Sequence, residues 1–128
     1  MTLSEKDRKL IDIFTRKIDK DPRFIGVILF GSALNSDNYR DIDIALISTT
    51  PPITDKEKLK IILSTPEKFD IRFLEDFPLN IAKDVIKGRL ILNKDYDKVF
   101  DRFVSIFQEW ELFRPSFELY LEVSKNGV

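Results

Sequence analysis

The run Phe24 to Phe30, FIGVILF, carries no polar side chain and constrains the fold of this chain more than any other feature. Asp21-Pro22 precedes it and Gly31-Ser32 ends it. A short apolar run bounded by turn residues reads as a strand buried on both faces. Such a strand needs helices above and below its sheet. Gly26 inside the run predicts close packing or a bulge. A Gly-Ser turn after a buried strand can cradle phosphate on its backbone N–H groups, although taken alone it is usually just a turn.

Around this strand the hydrophobic periods alternate. Leu3, Leu10, Phe14 and Ile18 repeat at helical spacing, with Ile11 beside them, so residues 3–19 are expected to be helical. Ser4 caps that helix, with Asp7 three residues on as a variant capping box. Residues 33–39 are turn-rich, with room for one helical turn. Residues 41–48 alternate, Ile42, Ile44 and Leu46 against Asp41 and Asp43. Pro51-Pro52 interrupts the chain. Residues 54–63 are expected to form a helix with Leu59, Ile62 and Leu63 inward. Residues 69–74 alternate again, Phe69, Ile71 and Phe73 against Asp70 and Arg72. A short helix over 79–87, ended by Gly88, and a last strand over 90–92 follow.

From Asp95 onward the period is helical. Tyr96, Phe100, Phe103, Phe107 and Trp110 form a stripe expected to pack on the sheet. Arg114-Pro115 is expected to kink or break that helix, with a second segment to about Lys125. Phe113, Phe117, Leu119 and Tyr120 exceed what a small sheet can cover, so they point to a partner surface or a homodimer. The expected fold class is α+β, a mixed β-sheet flanked by helices. Residues 1–128 are read as a single domain, with 95–125 as a C-terminal helical segment.

Three carboxylates stand out against this background. Asp41 and Asp43, at i and i+2 on a strand, share one face. Asp70 lies on the polar face of the next predicted strand. Aspartate packs poorly in strands, so three of them on otherwise apolar strands need a reason. Neighbouring strands lie about 4.8 Å apart, close enough for the carboxylates to share Mg²⁺. A phosphate cradle beside paired oxygen ligands reads as Mg²⁺-dependent nucleotide chemistry.

Composition narrows the alternatives. Hydrophobic residues make up 43% and charged residues 34%, a globular balance in a chain long enough for a proper core. The absence of cysteine excludes disulfides, zinc-thiolate sites and cysteine nucleophiles. The absence of histidine removes the commonest general base, so any metal must be held by oxygen. A net charge of −1 argues against gripping extended nucleic acid. The polar start and the lack of a membrane-length apolar run predict no membrane association and a cytoplasmic protein.

The strings GSALNSDNYRDIDIAL and FDIRFL resemble the minimal nucleotidyltransferases of the DNA polymerase β-like superfamily. That family carries a Gly-Ser turn after a strand, Asp-x-Asp on the next strand and a third Asp on a later one. The resemblance spans roughly residues 3–92 and implies a nucleotidyltransferase (polymerase β palm-like) fold. It implies that Gly31 and Ser32 bind nucleotide phosphates and that Asp41 and Asp43 ligate Mg²⁺. Asp70 would be the third carboxylate, a metal ligand that orients or deprotonates the attacking hydroxyl. The loop from Ala33 to Arg40 is shorter than the family's usual one. Asn35 or Ser36 stands near its usual glycine, and Arg40 where a serine often precedes the first Asp.

Members of this size are often the antitoxin partners of HEPN proteins, and some attach AMP to a tyrosine of the toxin. The resemblance thus implies transfer of AMP from ATP, or of another nucleotide, to an acceptor hydroxyl. The alternative is a weak or inactive nucleotide-binding antitoxin that acts by docking. A tRNA- or antibiotic-modifying transferase fits less well, because the chain lacks room for an extra substrate domain. For Arg72 an ion pair with a site carboxylate and a triphosphate contact stand even. Arg40, Glu75 and Asp76 are expected to be solvated, and Asp37 to form a turn or cap.

Overall fold

The computed structural model describes residues 3–49 and 53–125, so the Pro51-Pro52 interruption lies outside the described residues. Helix α1 spans Glu5–Asp19, strand β1 Phe24–Phe30, helix α2 Ser32–Asn35 and strand β2 Ile42–Ser48. Helix α3 spans Asp55–Leu63, strand β3 Phe69–Phe73, helix α4 Leu79–Val85, strand β4 Arg89–Asn93 and helix α5 Tyr96–Lys125. The four strands form one sheet in the order β3-β2-β1-β4. Only β2 and β3 run parallel, joined through α3; β1 is antiparallel to both of its neighbours. The expected α+β fold with a mixed sheet flanked by helices is the one found.

The unbroken apolar run of β1 takes an inner position, as a strand buried on both faces must. Phe24, Val27 and Leu29 join Ile42, Ile44 and Leu46 of β2 on one face, under Ile11, Phe14 and Ile18 of α1. Ile25 and Ile28 join Ala45 and Ile47 on the other, under Ala82 and Val85 of α4 and Val99 and Ile106 of α5. Beneath its alternating carboxylates β2 is thus apolar on both sides as well. The register shifts between Phe24 and Gly26, the expected bulge, and a Cβ at Gly26 would come within 2.9 Å of Ile47.

Caps set the helix starts. Ser4 accepts the Asp7 N–H at 3.1 Å, and Thr54 and Glu57 form a reciprocal capping box for α3. Each cap contributes about 1 kcal/mol. Gly88 follows α4 as expected but for a different reason. It has no left-handed φ; a Cβ there would come within 2.6 Å of the Leu29 carbonyl. The glycine lets β4 start tight against β1.

Three expectations are corrected. In α3 the buried residue is Ile61, while Leu59, Ile62 and Leu63 are exposed, because one short helix at the sheet's end presents only a narrow face. In α5 the buried residues are Val99, Ile106 and Trp110, with Phe103 partly covered; Tyr96, Phe100 and Phe107 face out. The aromatic stripe is thus divided: Phe103 and Trp110 pack beside Val99 and Ile106, and the other three aromatics face out. Finally, of the expected kink or break at Pro115, the break is absent: α5 runs on to Lys125. Proline removes one helical N–H donor at an exposed site. Ring contacts spanning it, Trp110 to Phe117 at 5.4 Å and Phe113 to Phe117 at 5.8 Å, tie the two halves together.

Candidate active site

The site sits at the end of the sheet where β1 finishes and β2 and β3 begin. Phe30 pairs with Asp43 across β1 and β2, and Asp43 pairs with Asp70 across β2 and β3. Asp43 and Asp70 therefore lie side by side, on the face that further along carries Ala45 and Ile47. Gly31 turns the chain beside them with φ 79°, and a Cβ there would overlap the Asp43 carboxylate. The turn passes against the carboxylate only because it is glycine. Ser32 opens α2 and is exposed.

Burial pushes the Asp43 carboxyl above the usual carboxylate range; the neighbouring charge of Asp70, and then that of Asp41, add to the shift. Arg72 opposes it only in part. Its Nε lies 3.2 Å from Asp70 Oδ1, so of the two readings for Arg72 the structure displays the ion pair. Asp41 lies one residue before β2 and is exposed, rather than on the strand proper. Asp43 and Asp70 are brought together; Asp41 contributes its charge from the strand's mouth. Among the described residues, no group of three or more carboxylates stands in an arrangement that could hold a metal ion. The donor chemistry nevertheless fits a hard cation: oxygen ligands, with net negative charge concentrated on a half-buried carboxyl.

Arg40 is exposed, and Asp37 lies in the loop between α2 and β2. Glu75 and Asp76 are exposed, as expected, but each is also paired. Glu75 accepts a hydrogen bond from Ser48 Oγ at 2.5 Å, and Lys58 binds Asp76 at 2.9 Å, so both brace β2 and α3. Of two nearby clefts, one takes in Gly31 and the other Arg72, and none of the three carboxylates lines either. One of about 390 Å³ runs from Gly31 and Asn35 to Ile81 and Lys87. The other, of about 190 Å³, lies between Arg72, Phe77 and Lys58.

Asp7, expected to complete a capping box with Ser4, stands instead behind the site with Tyr39 and Lys68, while the Ser4 N–H donates to the Tyr39 hydroxyl. Asp7 is 2% exposed and accepts hydrogen bonds from Tyr39 and Lys68, which precede the site's strands. One signal was available. Asp7 occupies the apolar stripe of α1 between Leu3 and Ile11, where a leucine would be expected.

No curated protein matches the chain by sequence. Solved structures share its fold. One is the tri-AMPylated Shewanella oneidensis HEPN toxin in complex with MNT antitoxin, at 14% identity and TM-score 0.68, covering 93% of this chain and 98% of that one. A second is the toxin–antitoxin MntA-HepT, at 13% identity and TM-score 0.68, with the same coverage. A third is a toxin–antitoxin with AMP-PNP, at 20% identity and TM-score 0.60, covering 91% and 98%. Among the described residues no helix is long and apolar enough to cross a membrane. The family model for Polymerase beta, Nucleotidyltransferase matches residues 8–97, which hold the glycine turn and all three carboxylates, and the chain belongs to that family.

Proposed function

We propose that this protein is a Mg²⁺-dependent nucleotidyltransferase that moves AMP from ATP to an acceptor hydroxyl, a tyrosine of a HEPN-type partner being the favoured acceptor. The observation that carries this reading is the pairing of Asp43 with Asp70 beside Gly31, with Asp43 held above its ordinary pKa. Like charges held side by side, one of them half-buried, favour a cation between them. Two fold relatives support the substrate: one is a tri-AMPylated HEPN toxin with its MNT antitoxin, another a toxin–antitoxin with AMP-PNP. We read residues 1–128 as one such domain and the protein as cytoplasmic.

Asp41, Asp43 and Asp70 would hold Mg²⁺, which when bound neutralises the triphosphate and lowers the acceptor hydroxyl's pKa. Gly31 and Ser32 would take the phosphates on backbone N–H groups, where the missing Cβ lets them approach Asp43. The acceptor oxygen attacks the α-phosphorus in line, its bond to the β-bridging oxygen breaks, and pyrophosphate leaves. The acceptor's proton passes to Asp70 or to solvent. Arg72, already on Asp70, stands where it can turn to phosphate charge.

The test is incubation with Mg²⁺ and labelled ATP, alone and with the protein encoded next to it. Label on the neighbour is expected, and Asp41→Asn with Asp43→Asn should abolish it in a folded protein. No transfer by a folded parent sample overturns the catalytic claim; transfer by the double variant places the site elsewhere. A second reading, neutralisation by docking alone, draws on the exposed apolar residues of α5, Leu112, Phe113, Leu119 and Tyr120 among them. That helix is the proposed docking element in either case.

A further inference from the structure

Asp7 lies in the first turn of α1, far in sequence from the site, yet its carboxylate binds the segments that lead into both acidic strands. Oδ2 of Asp7 accepts from the Tyr39 hydroxyl at 2.5 Å and from Lys68 Nζ at 2.9 Å. The Tyr39 oxygen in turn accepts the Ser4 N–H at 3.1 Å, and Lys68 Nζ sits 5.2 Å from the centre of the Tyr39 ring. Tyr39 stands two residues before Asp41, and Lys68 two residues before Asp70. Between them the Lys68 carbonyl accepts the Ile42 N–H at 2.9 Å, where β2 and β3 first meet.

We propose that Asp7 is a positioning residue that fixes the mouths of β2 and β3 relative to each other, so that Asp41, Asp43 and Asp70 converge on one cation. The proposal rests on the nucleotidyltransferase reading of those carboxylates. Its physical basis is direction. Apolar packing at this stripe position would stabilise α1 without selecting how the two segments approach. A carboxylate buried this deeply is costly unless its acceptors are filled, and filling them holds each donor at a set distance and angle. The short loop from Ala33 to Arg40 gains an anchor at Tyr39, next to the first metal-ligand candidate. Asp7 itself touches none of the three carboxylates.

The test uses the full chain and Mn²⁺ as the probe, with affinity read by electron paramagnetic resonance and Tm by thermal melts. Tyr39→Phe removes only the hydroxyl; Lys68→Met removes the charge and keeps the stem. Each should weaken Mn²⁺ binding by about tenfold, the scale of lost supporting contacts around metal ligands. Lys68→Arg should bind like the parent. Arg23→Met is the control: it breaks the Asp21–Arg23–Glu57 cluster, away from the carboxylates, and should lower Tm without moving Mn²⁺ affinity. Variants at Tyr39 and Lys68 that lower Tm as the control does, yet bind Mn²⁺ like the parent, overturn the proposal alone. A parent protein that binds no Mn²⁺, or binds it equally well as Asp43→Asn, overturns the functional reading and this one with it.

Discussion

At Gly31 two requirements meet in one residue. The backbone there has φ 79° and ψ −154°, a region open essentially to glycine alone that costs any other residue about 1–3 kcal/mol. A side chain would also overlap the Asp43 carboxylate. Gly31→Ala should therefore lower Tm by several degrees and weaken Mn²⁺ binding together, because the intruding methyl displaces Asp43. Thermal melts with and without Mn²⁺ check this; an alanine variant with parental Tm and affinity would show that the turn relaxes freely. Asp43 follows from the same logic. Its raised pKa comes from burial first and from Asp70 next, so it is the residue most in need of a counter-charge. Asp-x-Asp was legible from spacing alone. Asp7 was not read as a positioning residue: beyond Ser4, which local spacing did pair with it, its partners lie 32 and 61 positions away.

Among the elements, α5 departs furthest from expectation. Its aromatic spacing is regular, and regular spacing identified the helix correctly. Which face packs was decided instead by the sheet, which accommodates Val99 and Ile106 and leaves Tyr96 78% and Phe100 66% exposed. Periodicity identifies a stripe but not the surface that covers it. Beyond Trp110 the side chains are almost all exposed, so residues 111–125 contribute little to the core. Phe113→Ser should therefore change the stability of the isolated protein by no more than about 1 kcal/mol, read by thermal melts. The same change should abolish a complex with the HEPN-type partner, read by co-elution. A variant that still co-elutes would place the interface elsewhere, the exposed Leu59, Ile62 and Leu63 of α3 being next in line.

In the molecule as a whole, Asp7 couples α1, the loop before β2 and the start of β3, so its ionisation is felt globally. Burial alone would raise its pKa, but hydrogen bonds from Lys68, Tyr39 and Ser4 outweigh that and hold it below the usual carboxylate value. The folded state thus binds this proton more weakly than the unfolded chain does. Its contribution is fully present above the ordinary carboxylate pKa of about 3.9, and is lost as pH falls through the lowered value. Asp7→Asn should lower Tm at pH 7, and the gap to the parent should close in acid. Melts from pH 7 downward test it; a gap independent of pH would mean that shape, not charge, matters at this position.

Local pattern was enough for the kinds of element, for their order and for the candidate acids. A continuous apolar run, a two-residue alternation and a capping serine each act within a few residues, so β1, β2, β3 and α1 could be read directly. The pairing of β2 with β3 could not. Strand order is a long-range choice made by burial of both faces of β1 and β2, and that choice sets Asp43 against Asp70. It also turned Tyr96, Phe100 and Phe107 of α5 outward and gave the buried Asp7 its partners. The sequence alone thus established that the chain carries an acidic, glycine-hinged motif on a helix-covered sheet. Only the tertiary structure decided which carboxylates meet, because side chains far apart in the chain converge only when the layers close on a shared core.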